Sequence, residues 1–105
     1  MLFRRLRYPF NEDQCFNKNK WKYYRARRYT MIKDIIESNI LMGLDKKEIK
    51  GLLEDECNCT QSKLWSYYTG KPNGFHPFFN TNIYLYFNTN QRVFLVSRKR
   101  NLTNV

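Results

Sequence analysis

The chain has 105 residues, with 19 Lys or Arg against 9 Asp or Glu, which gives a formal net charge of +10. Hydrophobic residues make up 42% of the chain and aromatic residues 17%, which is too apolar for a disordered tail and sufficient for a modest core. The length fits one domain and excludes a barrel enzyme or a two-domain dinucleotide-binding enzyme.

The positive charge is concentrated towards the two ends of the chain. Residues 1–33 hold ten basic and two acidic residues, residues 34–91 hold five and seven, and residues 92–105 hold four and none. We therefore expect three parts. These are a basic, aromatic-containing arm over residues 1–19, a domain over residues 20–98 whose middle part, residues 34–91, is close to neutral, and a basic tail over residues 99–105.

Basic residues alternate with aromatic residues in the first third of the chain, a pattern that can follow phosphates and stack bases. The candidate anion-binding residues are Arg4, Arg5, Arg7, Arg25, Arg27 and Arg28. They predict binding to a nucleic acid or to an anionic membrane surface, although no recognised nucleic-acid motif accompanies them. The alternative is that these residues form a solvated, charged tail.

The first predicted helix starts near Arg28. Its apolar residues recur at helical spacing, and the pattern ends between Asn39 and Gly43. The predicted buried stripe consists of Ile32, Ile35, Ile36 and Ile40. Gly43 can adopt the left-handed conformation that ends a helix or forms a tight link.

The second predicted helix has a distinct start and end. Asp45 is a good N-cap, and Glu48 lies three residues later, which makes a variant of the capping box. The predicted buried stripe consists of Ile49, Leu52 and Leu53, with Leu44 packing before the cap. Residues 54–56 are acidic, the wrong sign for a helix C-terminus, so we expect the helix to stop there.

The second half of the chain changes to strand periodicity. An aromatic strand is predicted over residues 64–69, a loop rich in Gly and Pro over 70–80, and an alternating strand that ends at Phe87. A turn over residues 88–91 leads into a returning strand over residues 92–97, and the basic tail is expected to follow it. The predicted fold is α+β, with two N-terminal helices packed on a three-stranded antiparallel β-meander.

One face of this sheet is a candidate site for a protein partner. Tyr84 and Tyr86 alternate with the apolar residues of their strand, and Trp65 and Tyr67 are expected to lie beside them on the exposed face. Tyr and Trp suit interfaces because they bury a large area and keep a polar tip. The alternative is that these four aromatic residues form cross-strand pairs that only stabilise the sheet.

The sequence predicts no enzyme, no cofactor, no metal site and no small-molecule substrate. Cys15, Cys57 and Cys59 are an odd number and do not suggest a disulfide framework. With His76 they would make four nominal zinc ligands, but the intervals are long and irregular. We expect ordinary thiols and a loop histidine.

Residues 40–53 read ILMGLDKKEIKGLL, in which an apolar residue and Gly precede a polar cap, an acidic–aliphatic pair and a Leu-containing end. An aromatic strand around Trp65, an apolar strand ending at Phe87 and a strand led by Val93 follow. This order resembles the BamE-like (SmpA/OmlA) family of small domains, whose architecture the β-lactamase inhibitory proteins share. The resemblance implies two helices packed on a three-stranded antiparallel sheet and a module that binds a macromolecule or has a structural role.

The chain is also similar to uncharacterised small proteins of Bacteroidetes-type bacteria, through residues 20–22 and 28–36. It departs from the BamE-like pattern after Leu53, where an acidic run replaces the usual Leu-Gly-x-Pro. Many relatives carry a lipidated cysteine, but Cys15 has no apolar segment before it. We therefore expect a cytoplasmic protein if Met1 is the true start, and a cell-envelope protein if a lipoprotein signal lies upstream.

Overall fold

The computed structural model describes residues 13–70 and 79–102, and it confirms the α+β class. Within these ranges the chain forms three α-helices, one 3-10 helix and a three-stranded antiparallel sheet with strand order β1-β2-β3. The helical elements are α1 (Lys18–Tyr23), the 3-10 helix (Arg25–Met31), α2 (Ile32–Glu37) and α3 (Lys46–Leu53). The strands are β1 (Leu64–Gly70), β2 (Phe79–Phe87) and β3 (Val93–Leu102).

The first helical segment differs from the prediction. The single long helix is replaced by the 3-10 helix followed by the short α2, and the predicted stripe fails at its last member, Ile40, which is 37% exposed. Leu41 takes the buried position instead. The reason is local, because the helix ends at Glu37 and Asn39 adopts a positive φ of 57°, which breaks the helical spacing.

The capping box predicted for α3 is confirmed. The Asp45 carboxylate accepts from the Glu48 backbone N–H at 2.8 Å, and the Glu48 carboxylate accepts from the Asp45 backbone N–H at 2.9 Å. Ile49 and Leu53 are buried, as the stripe predicted. The helix ends before Glu54, whose φ of 70° turns the chain away from the helix axis.

The sheet is longer than the sequence pattern indicated. β2 begins at Phe79, so the predicted loop over residues 70–80 is wrong at its end, and residues 71–78 lie outside the described ranges. β3 continues to Leu102, so the predicted tail over residues 99–105 is wrong as far as that residue. The extra rungs pair polar residues such as Thr81 and Arg100, which give no hydrophobic alternation to recognise.

The N-terminal boundary of the domain also moves. The predicted arm includes residues 13–19, but the Gln14 backbone N–H donates to the Thr30 carbonyl at 2.7 Å. The Phe16 backbone N–H donates to the Asp34 carboxylate at 2.7 Å. The folded unit therefore begins within the predicted arm. It includes the basic helix α1 and the basic strand β3, so part of the positive charge near the two ends of the chain belongs to the fold.

The helices cover one face of the sheet and form a single core with it. The core residues are Trp21, Met31, Ile32, Ile35, Leu41, Ile49, Leu53, Trp65, Tyr67, Ile83, Leu85, Phe87 and Val93. The ring of Trp65 meets that of Phe87 edge-on at 5.2 Å, and the ring of Tyr67 lies 6.2 Å from that of Trp21. Two aromatic residues of β1 thus belong to the core.

The prediction that Trp65 and Tyr67 lie on the exposed face is therefore wrong. The register of β1 against β2 places Trp65 opposite Leu85 and Tyr67 opposite Ile83, on the face that the helices cover. Side chains directly opposite each other in an antiparallel pair share a face, so the two aromatic residues follow their apolar partners into the core.

Replacement by alanine is expected to change the stability of the fold in opposite directions at Gly70 and Gly51. At Gly70, φ is +105° and an added Cβ would lie 2.0 Å from the Ala26 carbonyl oxygen, while at Gly51, within α3, it would meet open space. We expect Gly70→Ala to lower the free energy of unfolding by at least about 2 kcal/mol. We expect Gly51→Ala to raise it by about 0.5–1 kcal/mol. Urea denaturation of both variants measures this, and equal effects at the two sites would contradict the close approach of β1 to the 3-10 helix.

Candidate functional site

The face of the sheet opposite the core is the candidate site, and we call it the open face. Its three cross-strand rows are Leu64–Tyr86–Leu95, Ser66–Tyr84–Ser97 and Tyr68–Asn82–Lys99. Tyr84 and Tyr86 are half-buried there, with their neighbours Ile83, Leu85 and Phe87 in the core. The structure thus places these two predicted residues on the open face, and their role in binding a partner stays a prediction.

A bulge in β3 brings a further aromatic residue to the open face. The register shifts between Tyr86 and Phe87, so that Val93 pairs with Phe87 and Leu95 pairs with Tyr86. Phe94 is the extra residue. The centre of its ring lies 6.5 Å from the centre of the Tyr86 ring, in an edge-on arrangement. A bulge places two consecutive side chains towards the same side, here Phe94 and Leu95.

The open face carries an exposed apolar strip that crosses all three strands. Phe94 is 52% exposed, Leu95 46% and Leu64 42%, and half-buried Tyr86 lies between them. Isolated exposed apolar side chains are ordinary, but a contiguous group marks a surface that binds something. The strip is therefore the main feature that the fold presents for interaction.

The sequence reasoning missed Leu64, Phe94 and Leu95 as site residues. A signal was present, because residues 93–96 form an uninterrupted apolar run in the last strand of a sheet covered on one side. Such a strand buries only alternate side chains, so some of the run had to face solvent. Which ones do so depends on the bulge, which the pattern did not reveal.

The outer edge of β1 is closed by side chains from the preceding loop. The Ser62 hydroxyl accepts from the Leu64 backbone N–H at 3.1 Å and donates to its carbonyl at 2.8 Å. The Asn58 side chain accepts from the Ser66 backbone N–H at 3.1 Å and donates to its carbonyl at 2.9 Å. These side chains replace a neighbouring strand at two successive outward positions.

A buried ion pair closes the third outward position. The Tyr68 backbone N–H donates to the Glu56 carboxylate at 3.0 Å, and Arg28 Nη1 donates to the Tyr68 carbonyl at 3.0 Å. Arg28 also pairs with Glu56, and its Nε donates to the Trp21 carbonyl at 2.7 Å. The guanidinium lies 4.4 Å from the Trp21 ring centre, a cation–π contact.

Arg28 is therefore a structural residue, and its predicted role in anion binding is wrong. Its side chain is 1% exposed, and burial lowers the pKa of Arg28 while the carboxylate of Glu56 opposes that shift. Arg25 is exposed but also pairs with Glu56, at 2.8 Å. One carboxylate thus neutralises part of the charge that the sequence offered to an anion.

Of the other predicted anion-binding residues, the structure describes only Arg27. Arg27 lines a pocket of about 330 Å³ together with Gln14, Lys20, Tyr24, Thr30 and Met31. The pocket combines two cationic side chains with an exposed tyrosine, which suits an anionic ligand. Arg4, Arg5 and Arg7 lie outside the described residues.

The chemistry-bearing side chains are dispersed. Cys15, Cys57 and Cys59 are exposed and free, and no group of three or more potential metal ligands occurs in the described ranges. His76 lies outside those ranges. The Tyr67 hydroxyl donates to the Glu54 carbonyl at 2.8 Å, and burial raises the pKa of Tyr67 well above its usual value, so the phenol stays neutral. None of the helices that the structure describes combines the length and apolar character required to span a bilayer.

Comparison of the chain with protein-family models, with curated proteins and with solved structures finds no match. The resemblance to BamE-like domains is therefore untested and stays a prediction. The candidate site is defined by the geometry of this chain alone.

The ion pair between Arg28 and Glu56 predicts that removal of the Glu56 carboxylate strongly lowers the stability of the fold. We expect Glu56→Ala to lower the free energy of unfolding by about 3–5 kcal/mol, because it leaves the buried guanidinium of Arg28 without its counter-charge. The adjacent Asp55 is a matched control, since its carboxylate is largely exposed and its ion pair with Lys50 is long, at 3.8 Å. Asp55→Ala is expected to cost about 1 kcal/mol or less. Urea denaturation of both variants tests this, and equal costs would show that the pair does not support the fold.

Proposed function

We propose that this chain is a non-enzymatic interaction module that binds a protein partner through the open face. The observation that carries the proposal is the exposed apolar strip of Leu64, Tyr86, Phe94 and Leu95. The order of its elements, with a Gly43 link, a capped helix and an antiparallel meander, supports a BamE-like architecture for the module.

The exposure of the strip favours binding over a purely structural role. Cross-strand pairing already brings Leu64, Tyr86 and Leu95 into one row, yet the two leucines keep nearly half of their surface in solvent. Phe94 remains more than half exposed beside Tyr86. A partner that covered these side chains would gain about 25 cal/mol for each Å² of apolar surface removed from water.

The polar surroundings of the strip suit a protein interface. The half-buried tyrosines supply hydroxyl groups beside apolar rings, and Lys99 Nζ lies 5.4 Å from the centre of the Tyr84 ring. Interfaces of proteins combine such an apolar centre with a polar rim. The three rows of the open face contain a lysine and no acidic side chain among their described residues, so the proposed partner presents acidic groups.

A second candidate function is binding to a nucleic acid or an anionic membrane surface through the basic N-terminal part of the chain. The pocket beside Lys20, Tyr24 and Arg27 supports it. The pairing of Arg25 and Arg28 with Glu56 weakens it, because this carboxylate already offsets part of their positive charge. Retention on heparin or single-stranded DNA over a salt series tests this alternative, and no retention at low salt would remove it.

The main proposal is tested by crosslinking followed by affinity measurement. A photoreactive phenylalanine analogue at position 94 is expected to form an adduct with a single protein in cells, whereas the same analogue at the exposed Tyr23 on α1 is not. Once that protein is purified, Leu95→Ser is expected to weaken its binding by about tenfold or more, as for the centre of an interface. The free energy of unfolding should change by less than about 1 kcal/mol, because the side chain is half exposed.

Two outcomes would overturn the proposal. One is equal crosslinking from positions 94 and 23, which would mean that the open face attracts no particular partner. The other is a loss of stability in Leu95→Ser large enough to account for the lost binding. In that case the strip stabilises the sheet and has no separate binding role.

A further inference from the structure

The two edge strands, β1 and β3, differ in how the outward backbone groups are hydrogen-bonded. In the ladder between β1 and β2, Leu64, Ser66 and Tyr68 point their backbone groups outward, and side chains satisfy all three. Since backbone direction alternates along a strand, Tyr84 and Tyr86 of β2 face β3 and bond to Ser97 and Leu95. The backbone groups of Val96 and Arg98 in β3 therefore point away from the sheet.

Among the residues that the structure describes, the outward edge of β3 is covered only at its beginning. The Val93 backbone N–H donates to the Leu44 carbonyl at 3.0 Å, and the Gly43 N–H donates to the Val93 carbonyl at 2.8 Å. Beyond the bulge this pairing stops. Within residues 13–70 and 79–102, no backbone group pairs with the outward N–H and carbonyl of Val96 or Arg98. We call these two positions the free edge.

An apolar groove lies beside the free edge. It has a volume of about 130 Å³ and is lined by Ile35, Ile36, Asn39, Met42, Leu95 and Val96. Met42 and Leu95 are both exposed, so the groove opens to solvent. A strand added to a sheet edge binds through its backbone and places alternate side chains into pockets of this kind.

The positive charge of β3 favours a negatively charged segment as the added strand. Arg98 and Lys99 are exposed, and residues 92–105 contain four basic residues and no acidic one. A second copy of this chain would bring the same basic strand and a further charge of +10 to the edge. The segment of residues 1–12 also has an excess of basic residues. Both like-charged occupants are disfavoured relative to an acidic one.

We propose that the free edge of β3 binds an extended acidic segment of a partner protein as a fourth strand. The inference rests on the proposed function in that both make the chain a protein-binding module. It uses the sheet edge next to the open face, and the groove beside that edge shares Leu95 with the apolar strip. The open face supplies apolar side chains, whereas the free edge supplies backbone groups that have no backbone partner among the described residues. Natural sheets usually protect such edges. Within the described part of this chain, β1 is protected, while Val96 and Arg98 of β3 are not.

The probe is a synthetic peptide of about nine residues in which Val and Glu alternate, a length within the usual range of strands. Its control is the same peptide with Lys in place of Glu. We expect the acidic peptide to bind, the basic peptide not to bind, and added salt to weaken the complex. Binding of both peptides with equal affinity, or of neither, would overturn the proposal.

Proline at the free edge tests the role of the backbone. Val96→Pro removes an N–H that points away from β2, a position at which an edge strand tolerates proline. Val96→Ala keeps that N–H and is the matched control. We expect Val96→Pro to weaken peptide binding by about tenfold or more relative to Val96→Ala, because one intermolecular hydrogen bond is lost and the added strand is displaced. Equal affinities of the two variants would contradict the fourth strand.

A second measurement covers the case in which Val96→Pro does not fold. Peptides with N-methyl groups on alternate amides keep their side chains but can no longer donate from one edge. Methylation in one of the two alternating phases is expected to abolish binding to the unmodified protein, and methylation in the other phase to leave it intact. Binding that survives both would rule out strand addition.

Two further outcomes separate this inference from its alternatives. Tyr86→Ser alters the open face without touching the groove, so it should leave peptide binding unchanged, even if the open face proves to have no partner of its own. Loss of peptide binding in that variant would place the peptide on the open face and overturn the edge assignment. Concentration-dependent dimerisation of the free protein that Val96→Pro abolishes would make a second copy the occupant and overturn the acidic segment.

Discussion

The buried guanidinium of Arg28 connects the helical half of the chain to the sheet. It donates to the carbonyls of Trp21 and Tyr68 and pairs with Glu56, whose carboxylate also accepts the Tyr68 N–H. A charge taken out of water costs several kcal/mol, and it is tolerated only when its hydrogen bonds and counter-charge are complete. These contacts therefore hold the loop after α3 against β1, and they exclude Arg28 from any role on the surface.

The position of Glu56 also determines which edge of the sheet is closed to a partner. With Asn58 and Ser62 it closes the outer edge of β1, so this edge offers few groups to a partner. The helices and the core occupy one face of the sheet. In the part of the chain that the structure describes, the open face with its apolar strip and the free edge of β3 are left for interaction. Both proposals follow from this distribution, since one uses exposed side chains and the other exposed backbone.

The sequence predicted those features that depend on residues close together in the chain. The capping box needs only Asp45 and Glu48, and the alternation that places Tyr84 and Tyr86 on the face opposite the core lies within one strand. The errors arose where a distant partner decides the outcome. Trp65 is buried because of its register opposite Leu85, and Arg28 is buried because of Glu56. The bulge that exposes Phe94 likewise requires the pairing of β3 with β2, which no local pattern specifies.

The account depends most directly on the contrast between the two sheet edges, and amide hydrogen exchange in the free monomer measures that contrast. The amides of Ser66 and Tyr68, bonded to Asn58 and Glu56, should exchange slowly. Those of Val96 and Arg98 should exchange about as fast as exposed backbone, although their neighbours Leu95 and Ser97 are protected. Equal protection of all four outward amides would contradict the account, because β3 would then have no free edge.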